Sequence, residues 1–197
     1  MCPPAEEHKS LDHTTGTTHI ATPGITDQSI PINTGKQRHN SSKPTQTIIQ
    51  KMKKLISEHK LFYSFEYFPP KTREGVSNLF DRLDRMSLLE PLFMDITWGA
   101  GGSTSELSLE ISSKATQMGN DVMMHLTCTD MSKSQIKHVL QQCQKNGIRN
   151  ILALRGDPPK GAEVWEKCLD GFSYAIDLVK YIREEFGNEF CIGVAGM

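Results

Sequence analysis

The stretch DVMMHLTCTDMSKSQIKHVLQQCQKNGIRNILALRGD, residues 121–157, has two apolar runs on either side of an amphipathic segment. The runs DVMMHLT (121–127) and NILALR (150–155) are almost entirely apolar, which is typical of parallel strands covered on both faces. The segment between them has the apolar period of a helix. Ser132 is a suitable N-cap for it, and Gly147 follows it where a terminating glycine belongs. The stretch therefore predicts a strand–helix–strand unit with parallel strands.

The same rhythm extends along most of the chain. Apolar runs that predict strands recur at roughly 30-residue steps, the length of one strand–helix unit. Strict alternation of strands and helices predicts a parallel sheet, either doubly wound or closed into a (β/α)8 barrel. The predicted strands are residues 61–68, 92–98, 121–127, 150–155 and 189–196, and the predicted helices are residues 74–90, 104–118, 132–146 and 171–186, preceded by an amphipathic helix within residues 45–60.

The number of predicted strands limits the choice between these α/β folds. A barrel needs eight strands and about 250 residues, whereas this chain has 197 residues and five predicted strands. The chain stops in or just after the fifth predicted strand, at Met197. We therefore expect either a small open sheet or a barrel truncated to about five strand–helix units.

Residues 1–43 differ in composition from the rest of the chain. They are rich in Thr, Ser, Pro, His, Gln and Gly, and they contain almost no large apolar side chains. Such a segment buries too little apolar surface to offset the entropy that ordering removes. We expect a disordered tail at residues 1–43 and one folded domain at residues 44–197.

Charge, hydropathy and cysteine content indicate the class of protein. The formal net charge of −1 gives no support for binding to nucleic acid or to an anionic membrane. No apolar run approaches the ~20 residues of a membrane-spanning helix, and the amino terminus lacks the apolar region of a secretory signal. An odd number of scattered cysteines favours reduced thiols in a cytoplasmic protein and no structural metal. The cysteines are Cys2, Cys128, Cys143, Cys168 and Cys191.

Polar residues recur where the predicted strands end. In parallel α/β folds the carboxyl edge of the sheet holds the active site. The coincidence of polar residues on four predicted strands therefore predicts a functional site at this edge. These residues are Glu66 in the first strand, Asp95, Thr97 and Trp98 in the second, His125 and Thr127 in the third, and Arg155, Gly156 and Asp157 at the end of the fourth.

Several of these residues also have a purely structural interpretation. Glu66 is costly to bury without a partner, and it can pair with Lys71 or Arg155 at a strand end. His125 can be a core histidine with one satisfied ring nitrogen. Asp157 can be a turn residue that precedes two prolines.

Six segments in this order and spacing resemble the methylenetetrahydrofolate reductase family. The resemblance covers about residues 45–197, and it is closer to a eukaryotic, animal-type member than to a bacterial one. The segments are SFEYFPPK (64–71), DITWGAGG (95–102), MHLTC (124–128), NGIRNILALRGDPP (146–159), GFSYAIDLVKYIREEFG (171–187) and CIGVAG (191–196).

The resemblance implies a (β/α)8 barrel that holds FAD. Members of the family use NAD(P)H to reduce the flavin and then pass the hydride to 5,10-methylenetetrahydrofolate, which yields 5-methyltetrahydrofolate. By this resemblance the partners are a folate substrate and further copies of the chain in a homo-oligomer. Neither nucleic acid nor a membrane is expected as a partner.

The resemblance also assigns roles to individual residues. Glu66 matches the general acid that protonates the folate, and a partly desolvated glutamate can keep its proton near neutral pH. Asp157 matches a catalytic position near the pyrimidine side of the flavin. The nicotinamide-binding stretch corresponds to Glu66, Tyr67, Phe68, Pro69, Pro70 and Lys71, and the FAD contacts correspond to Thr97, Trp98, His125, Arg155, Gly156, Asp157, Tyr174 and Ala175.

The sequence departs from the family pattern at its carboxyl end. Met197 stands where the family has a tyrosine and then continues with the last strands of the barrel. We therefore expect residues 44–197 to be the amino-terminal portion of the catalytic barrel. One alternative is a truncated, non-catalytic chain that at most associates with a full-length subunit. Another is a different βα-barrel enzyme, such as a lyase that binds a phosphorylated substrate. The predicted strands contain no lysine, which disfavours an aldolase that forms a Schiff base.

Overall fold

The structure, a computed structural model, describes residues 46–99, 105–158 and 168–195. Within these ranges helices and strands alternate in the predicted order, and every predicted strand is present. The predicted tail at residues 1–43 lies outside the described residues. The elements are α1 (Ile48–Ser57), β1 (Ser64–Tyr67), α2 (Arg73–Ser87), β2 (Phe93–Ile96), α3 (Ser105–Gln117), β3 (Val122–Thr127), α4 (Lys133–Lys145), β4 (Asn150–Leu154), α5 (Ala175–Phe186) and β5 (Cys191–Val194).

The five strands form one parallel sheet in the order β1-β2-β3-β4-β5. Each strand pairs with the next strand along the chain. A doubly wound sheet instead reverses its strand order at a switch point, and no reversal occurs within the described sheet. Sequential order is the arrangement of the strands in a (β/α)8 barrel, so the described part of the chain has the order of a barrel wall with five strands.

The two faces of the sheet differ in burial. Because successive side chains point to opposite faces of a strand, alternate residues of each strand pack under the helices. Helix α3 contacts β2 and β3, and α5 contacts β4. The buried face includes Met94, Ile96, Met124, Leu126, Ile151 and Ala153.

The opposite face of the sheet is more open, which corrects the expectation of strands covered on both faces. His125, Leu152 and Leu154 of this face are only partly buried, and Glu66 is exposed. The polar side chains predicted for the site therefore lie on the face that the described helices do not cover.

Helix α1 is attached to the amino end of the sheet by a buried asparagine. The side-chain oxygen of Asn150 accepts a hydrogen bond from the backbone amide of Ile48 at 3.2 Å. Its side-chain nitrogen donates to the carbonyl of Val122 at 3.1 Å. Lys51 of α1 also pairs with Asp121, which immediately precedes β3. One residue of β4 thus holds α1 and β3 together.

Most predicted helix ends are confirmed. The backbone amide of Gln135 donates to the Ser132 hydroxyl at 3.3 Å, and the Gln135 side chain accepts from the Ser132 amide at 2.8 Å, which makes a capping box. Gly119 and Gly147 follow their helices with φ of +89° and +76°. No helix in the described ranges is long and apolar enough to cross a membrane.

Two helix boundaries differ by several residues from the prediction, since α2 ends at Ser87, and not at residue 90, and α5 begins late. Helix α5 begins at Ala175, and not at residue 171, because Tyr174 is an extended N-cap residue whose amide donates to the Asp177 carboxylate at 3.1 Å. Phe172 carries the apolar pattern ahead of the helix, since its buried ring packs on that of Tyr181 with 5.1 Å between the ring centroids. Periodicity alone therefore made the helix too long.

Candidate functional site

Glu66, Asp95 and His125 meet on the open face of the sheet. Strand pairing places Glu66 opposite Asp95 and Asp95 opposite Met123, so that His125 lies two residues further along β3 on the same face. The Nε2 atom of His125 lies 3.4 Å from Oδ1 of Asp95. The Nδ1 atom of His125 lies 4.0 Å from Oε1 of Glu66. An imidazole therefore stands between two carboxylates, and we call these three residues the acid–histidine cluster.

The members of the acid–histidine cluster differ in their exposure to solvent. The side chains of His125 and Asp95 are 12% and 16% exposed, whereas that of Glu66 is 50% exposed. Glu66 is thus only partly removed from solvent, and its role as a general acid stays a prediction. The partner of Glu66 is His125, and neither predicted partner, Lys71 or Arg155, forms an ion pair with it. Glu66 is the member of the cluster that can reach a ligand.

Asp95 is a residue of this site whose role the sequence does not reveal. The sequence shows only that it is one of the polar residues near the strand ends. A signal was present, because Asp95 and Thr97 share one face of β2 by the two-residue period of a strand. Their neighbours on β1 and β3 depend on the register between the strands. The two-residue period of a single strand gives no information about that register.

The predicted flavin contacts on β2 are held firmly by the fold. The amide of Thr97 donates to the carbonyl of Tyr67 at 3.0 Å, and the hydroxyl of Ser108 donates to the carbonyl of Thr97 at 2.9 Å. Trp98 is buried in the core, and its indole N–H has no hydrogen-bond partner in the described part of the chain. Trp98 therefore acts as a core residue here, and its predicted contact with FAD stays a prediction.

The loop after β4 is anchored by its backbone. The carbonyl of Arg155 accepts hydrogen bonds from the amide and the hydroxyl of Thr129, at 3.0 and 2.6 Å. Gly156 has a φ of +87°, and a Cβ there would stand 2.9 Å from Cβ of Thr127. The side chains of Arg155 and Asp157 are exposed at the carboxyl edge of the sheet. The loop thus presents one cation and one anion from a backbone that Thr129 anchors.

The predicted contacts on α5 lie at its first residues. Ala175 begins the helix, and the exposed ring of Tyr174 precedes it. Because α5 follows β4 in the chain and packs against it, its amino end belongs to the same edge as the Arg155 loop. At this end the Asp177 carboxylate accepts a hydrogen bond from the Tyr174 amide.

The predicted nicotinamide-binding stretch lines a cavity of about 470 Å³ against α2. Tyr67 lies in its wall, and burial raises the pKa of this phenol while Arg82 opposes the shift. The phenol therefore stays neutral near pH 7. Asp95 and His125 do not line the cavity, so Glu66 is the residue that the cavity and the acid–histidine cluster share. The lining residues are Glu66, Tyr67, Phe68, Pro69, Pro70, Lys71, Gly75, Asn78, Leu79 and Arg82.

Comparison with known proteins identifies a family. The sequence profile of methylenetetrahydrofolate reductase matches residues 51–197. "Methylenetetrahydrofolate reductase (NADH) 1" of Zea mays is 51% identical over 150 residues, which cover 76% of this chain and 25% of that protein. "Methylenetetrahydrofolate reductase 2" of Saccharomyces cerevisiae is 53% identical over 137 residues, which cover 68% of this chain and 23% of that protein.

A nematode relative matches over a longer stretch. The "Probable methylenetetrahydrofolate reductase (NADPH)" of Caenorhabditis elegans is 36% identical over 179 residues, which cover 87% of this chain and 26% of that protein. The chain thus spans about a quarter of the length of these curated relatives.

Proposed function

Because this chain belongs to the methylenetetrahydrofolate reductase family, we propose that it forms the amino-terminal part of a site that reduces 5,10-methylenetetrahydrofolate to 5-methyltetrahydrofolate. FAD is the proposed hydride carrier and NAD(P)H the proposed hydride donor. The names of the relatives include both NADH and NADPH, so the proposal covers both nicotinamides. The observation that carries it is the acid–histidine cluster on the open face of the sheet, with the half-exposed carboxyl of Glu66 at its rim.

Glu66 is the proposed general acid. Its carboxyl is exposed on the open face while His125 stands 4.0 Å behind it, so it can turn toward a bound folate and protonate it. A positioned acid of this kind contributes roughly 10²–10⁴-fold to a rate. The exposure of Glu66 supports contact with a substrate more than it supports a structural ion pair.

The side chains at the carboxyl edge fit a flavin dinucleotide by their chemistry. The guanidinium of Arg155 matches the geometry of a phosphate group. Tyr174 presents an exposed aromatic ring. The bound flavin would supply the hydride chemistry, while the protein supplies binding and orientation. Asp157 is proposed to place a negative charge near the flavin and to orient the folate.

Residues 66–71 are the proposed nicotinamide-binding segment. The cavity that they line, of about 470 Å³, supports this assignment, since ligand pockets of small molecules have volumes of about 300–1,000 Å³. Lys71 supplies a cation at the end of the segment. Glu66 belongs both to this segment and to the acid–histidine cluster, so one residue connects the proposed donor and acid sites.

FAD retention by the purified chain tests the proposal. The chain is incubated with FAD, unbound flavin is removed, and the absorbance spectrum is recorded. We expect retained flavin absorbance that is lost in Arg155→Ala. Arg149→Ala is the matched control, because Arg149 lies just before the other end of β4 and pairs with Glu189. Absence of flavin in the folded unmodified chain, or equal loss in both variants, contradicts the proposed site.

A second candidate is a non-catalytic chain that associates with a longer member of the family. The observation that favours it is that β1 and β5 are the edges of the described sheet and each pairs on one side alone. Unpaired strand edges are templates for pairing with another chain. Co-purification of this chain with a tagged longer member, and no FAD retention by this chain alone, would support the second candidate over the first.

We also propose a cytoplasmic location and a homo-oligomeric state. The location is supported by four free thiols, which are typical of a reducing compartment; they belong to Cys128, Cys143, Cys168 and Cys191. Cell fractionation tests the location. Light scattering of the purified chain at several concentrations tests the oligomeric state, and a monomeric mass at all of them would contradict that part of the proposal.

A further inference from the structure

We propose that Asp95 is a positioning residue that accepts the Nε2 proton of His125 and thereby turns the Nδ1 lone pair of this histidine toward Glu66. The geometry that carries the proposal is the order of the atoms. Asp95 Oδ1 lies 3.4 Å from Nε2, and Glu66 Oε1 lies 4.0 Å from Nδ1 on the other side of the ring.

The burial of Asp95 requires a partner. Its side chain is 16% exposed, and a carboxylate removed from water costs free energy unless a donor satisfies it. The donor that contacts its carboxylate in the described structure is His125. Strand pairing places Asp95 opposite Glu66 on one side and opposite the apolar Met123 on the other. Among the described residues around Asp95, His125 is thus the one that contacts its carboxylate as a hydrogen-bond donor.

The partner sets the position of the proton on the ring. An ionised carboxylate only accepts hydrogen bonds, so the nitrogen that faces it carries the proton. In a neutral imidazole the other nitrogen then has a lone pair. From β4 the residue opposite His125 is the apolar Leu152. The charged neighbours of the ring within the described sheet are therefore Asp95 and Glu66.

The orientation of the ring has a consequence for Glu66. A lone pair on Nδ1 can accept a hydrogen bond from a protonated carboxyl and cannot donate one to a carboxylate. At 4.0 Å the two groups are beyond hydrogen-bond distance, and a rotation of the exposed Glu66 side chain closes the gap. Asp95 thus provides, through His125, a hydrogen-bond acceptor for a carboxyl proton on Glu66. This consequence for catalysis rests on the proposed function, whereas the proton position does not.

Nuclear magnetic resonance of the whole chain tests the proton position without any bound cofactor. Long-range ¹H–¹⁵N correlation spectra report which nitrogen of each histidine carries the proton, and the His125 signals are identified by their loss in His125→Asn. We expect a proton on Nε2, slow to exchange with water, in the unmodified chain. We expect Asp95→Ala to lose the slowly exchanging signal and Asp95→Asn to keep it, because an amide oxygen still accepts the hydrogen bond.

Asp121→Asn is the matched control for these spectra. Asp121 has a side chain of similar exposure, 19%, and lies at the other end of the neighbouring strand, where it pairs with Lys51. We expect the His125 signals to be unchanged in this variant. A proton on Nδ1, protons on both nitrogens, or identical spectra in the unmodified chain and in Asp95→Ala would overturn the proposal.

Kinetics of the FAD-loaded chain test the effect on Glu66. We expect Asp95→Ala to lower kcat roughly tenfold to a hundredfold, by analogy with carboxylates that orient metal-bound histidines. We expect little change in KM for the folate and a smaller loss of kcat in Asp95→Asn. Loss of bound flavin or a change in KM alone would reduce Asp95 to a structural role. An unmodified chain without activity would contradict the proposed function. The position of the proton on His125 would still be tested by the nuclear magnetic resonance spectra, which need no activity.

Discussion

A Cβ atom on residue 156 would stand 2.7 Å from the hydroxyl oxygen of Thr129, so Gly156 lies against Thr129 with no room for a side chain. The same threonine hydroxyl donates to the carbonyl of Arg155. This contact holds the loop after β4 against the residues that follow β3. The backbone from which the exposed side chains of Arg155 and Asp157 project is thereby held at the carboxyl edge of the sheet.

Gly156→Ala is expected to destabilise the chain and to weaken FAD retention. A φ of +87° is unfavourable for alanine, and such strain costs about 1–3 kcal/mol. The contact with Thr129 adds to this cost. Urea unfolding followed by circular dichroism measures the stability, and the flavin absorbance measures retention.

Gly119→Ala separates backbone strain from steric contact at Gly156. Gly119 has nearly the same φ, +89°, but a Cβ there meets nothing within 4 Å. We expect Gly119→Ala to cost less than Gly156→Ala and to leave flavin binding unchanged. Equal costs in the two variants would show that the contact with Thr129 is unimportant.

Asn150→Ala is expected to lower the free energy of unfolding by about 2–4 kcal/mol, because it leaves the Ile48 amide and the Val122 carbonyl without their partner. Urea unfolding is the measurement. Asn146→Ala serves as control, since the Asn146 side chain donates one hydrogen bond to the carbonyl of Gln142 at the end of α4. A loss below that of the control would contradict the role of Asn150 in holding α1.

Stability is expected to decline with alkaline pH because of two buried thiols. Burial raises the pKa of Cys143 to about 12 and that of Cys128 to about 11. Above the ordinary thiol value of 9.0, the unfolded chain loses protons that the folded chain keeps. The contribution of the two protonated thiols to the free energy of unfolding is therefore complete below that value. It is lost as the pH rises toward about 11 for Cys128 and about 12 for Cys143.

Urea unfolding in a pH series measures this decline. The free energy of unfolding is expected to fall by up to about 1.4 kcal/mol per pH unit for each thiol. Cys143→Ala is expected to reduce the slope, whereas Met124→Leu, which alters the apolar neighbour of Cys143 but no titrating group, is expected to keep it. An unchanged slope in Cys143→Ala would refute the assignment.

Glu66→Gln is expected to abolish proton donation and to preserve the fold. Its side chain is half exposed, and substitutions at exposed positions usually change stability by less than about 0.5 kcal/mol. The rate of folate reduction by the FAD-loaded chain is expected to fall by roughly 10²–10⁴-fold. The rate of flavin reduction by NAD(P)H is expected to change much less. Glu189→Gln is the control, because Glu189 has a similarly exposed carboxylate and pairs with Arg149 outside the site. Equal activity of Glu66→Gln and the unmodified chain would rule out Glu66 as the acid.

Local pattern was sufficient for the secondary structure of the folded part. The apolar runs and helical periods are local properties, and they predicted every strand and helix of the described ranges in the correct order. Local pattern was less reliable at boundaries such as the start of α5, because the buried Phe172 continues the apolar period ahead of the helix. The disordered tail at residues 1–43 stays a prediction.

Much of the site was also visible in the sequence. Glu66, His125 and Asp157 were predicted from their places at the strand ends and from family resemblance, and the structure brings Glu66 and His125 within 4.0 Å of each other. Their common edge follows from parallel strands alone. The partner of His125 could not be predicted from the sequence. It depends on the register between β2 and β3, which determines that Asp95 lies next to His125.

The alternation of strands and helices, the parallel class of the sheet and the family are all readable from the residues alone. The unreversed strand order, the open face of the sheet and the contact between Asp95 and His125 emerged with the folded chain. Periodicity arises from neighbouring residues of one segment, whereas strand order, burial and register arise from contacts between segments far apart in the chain.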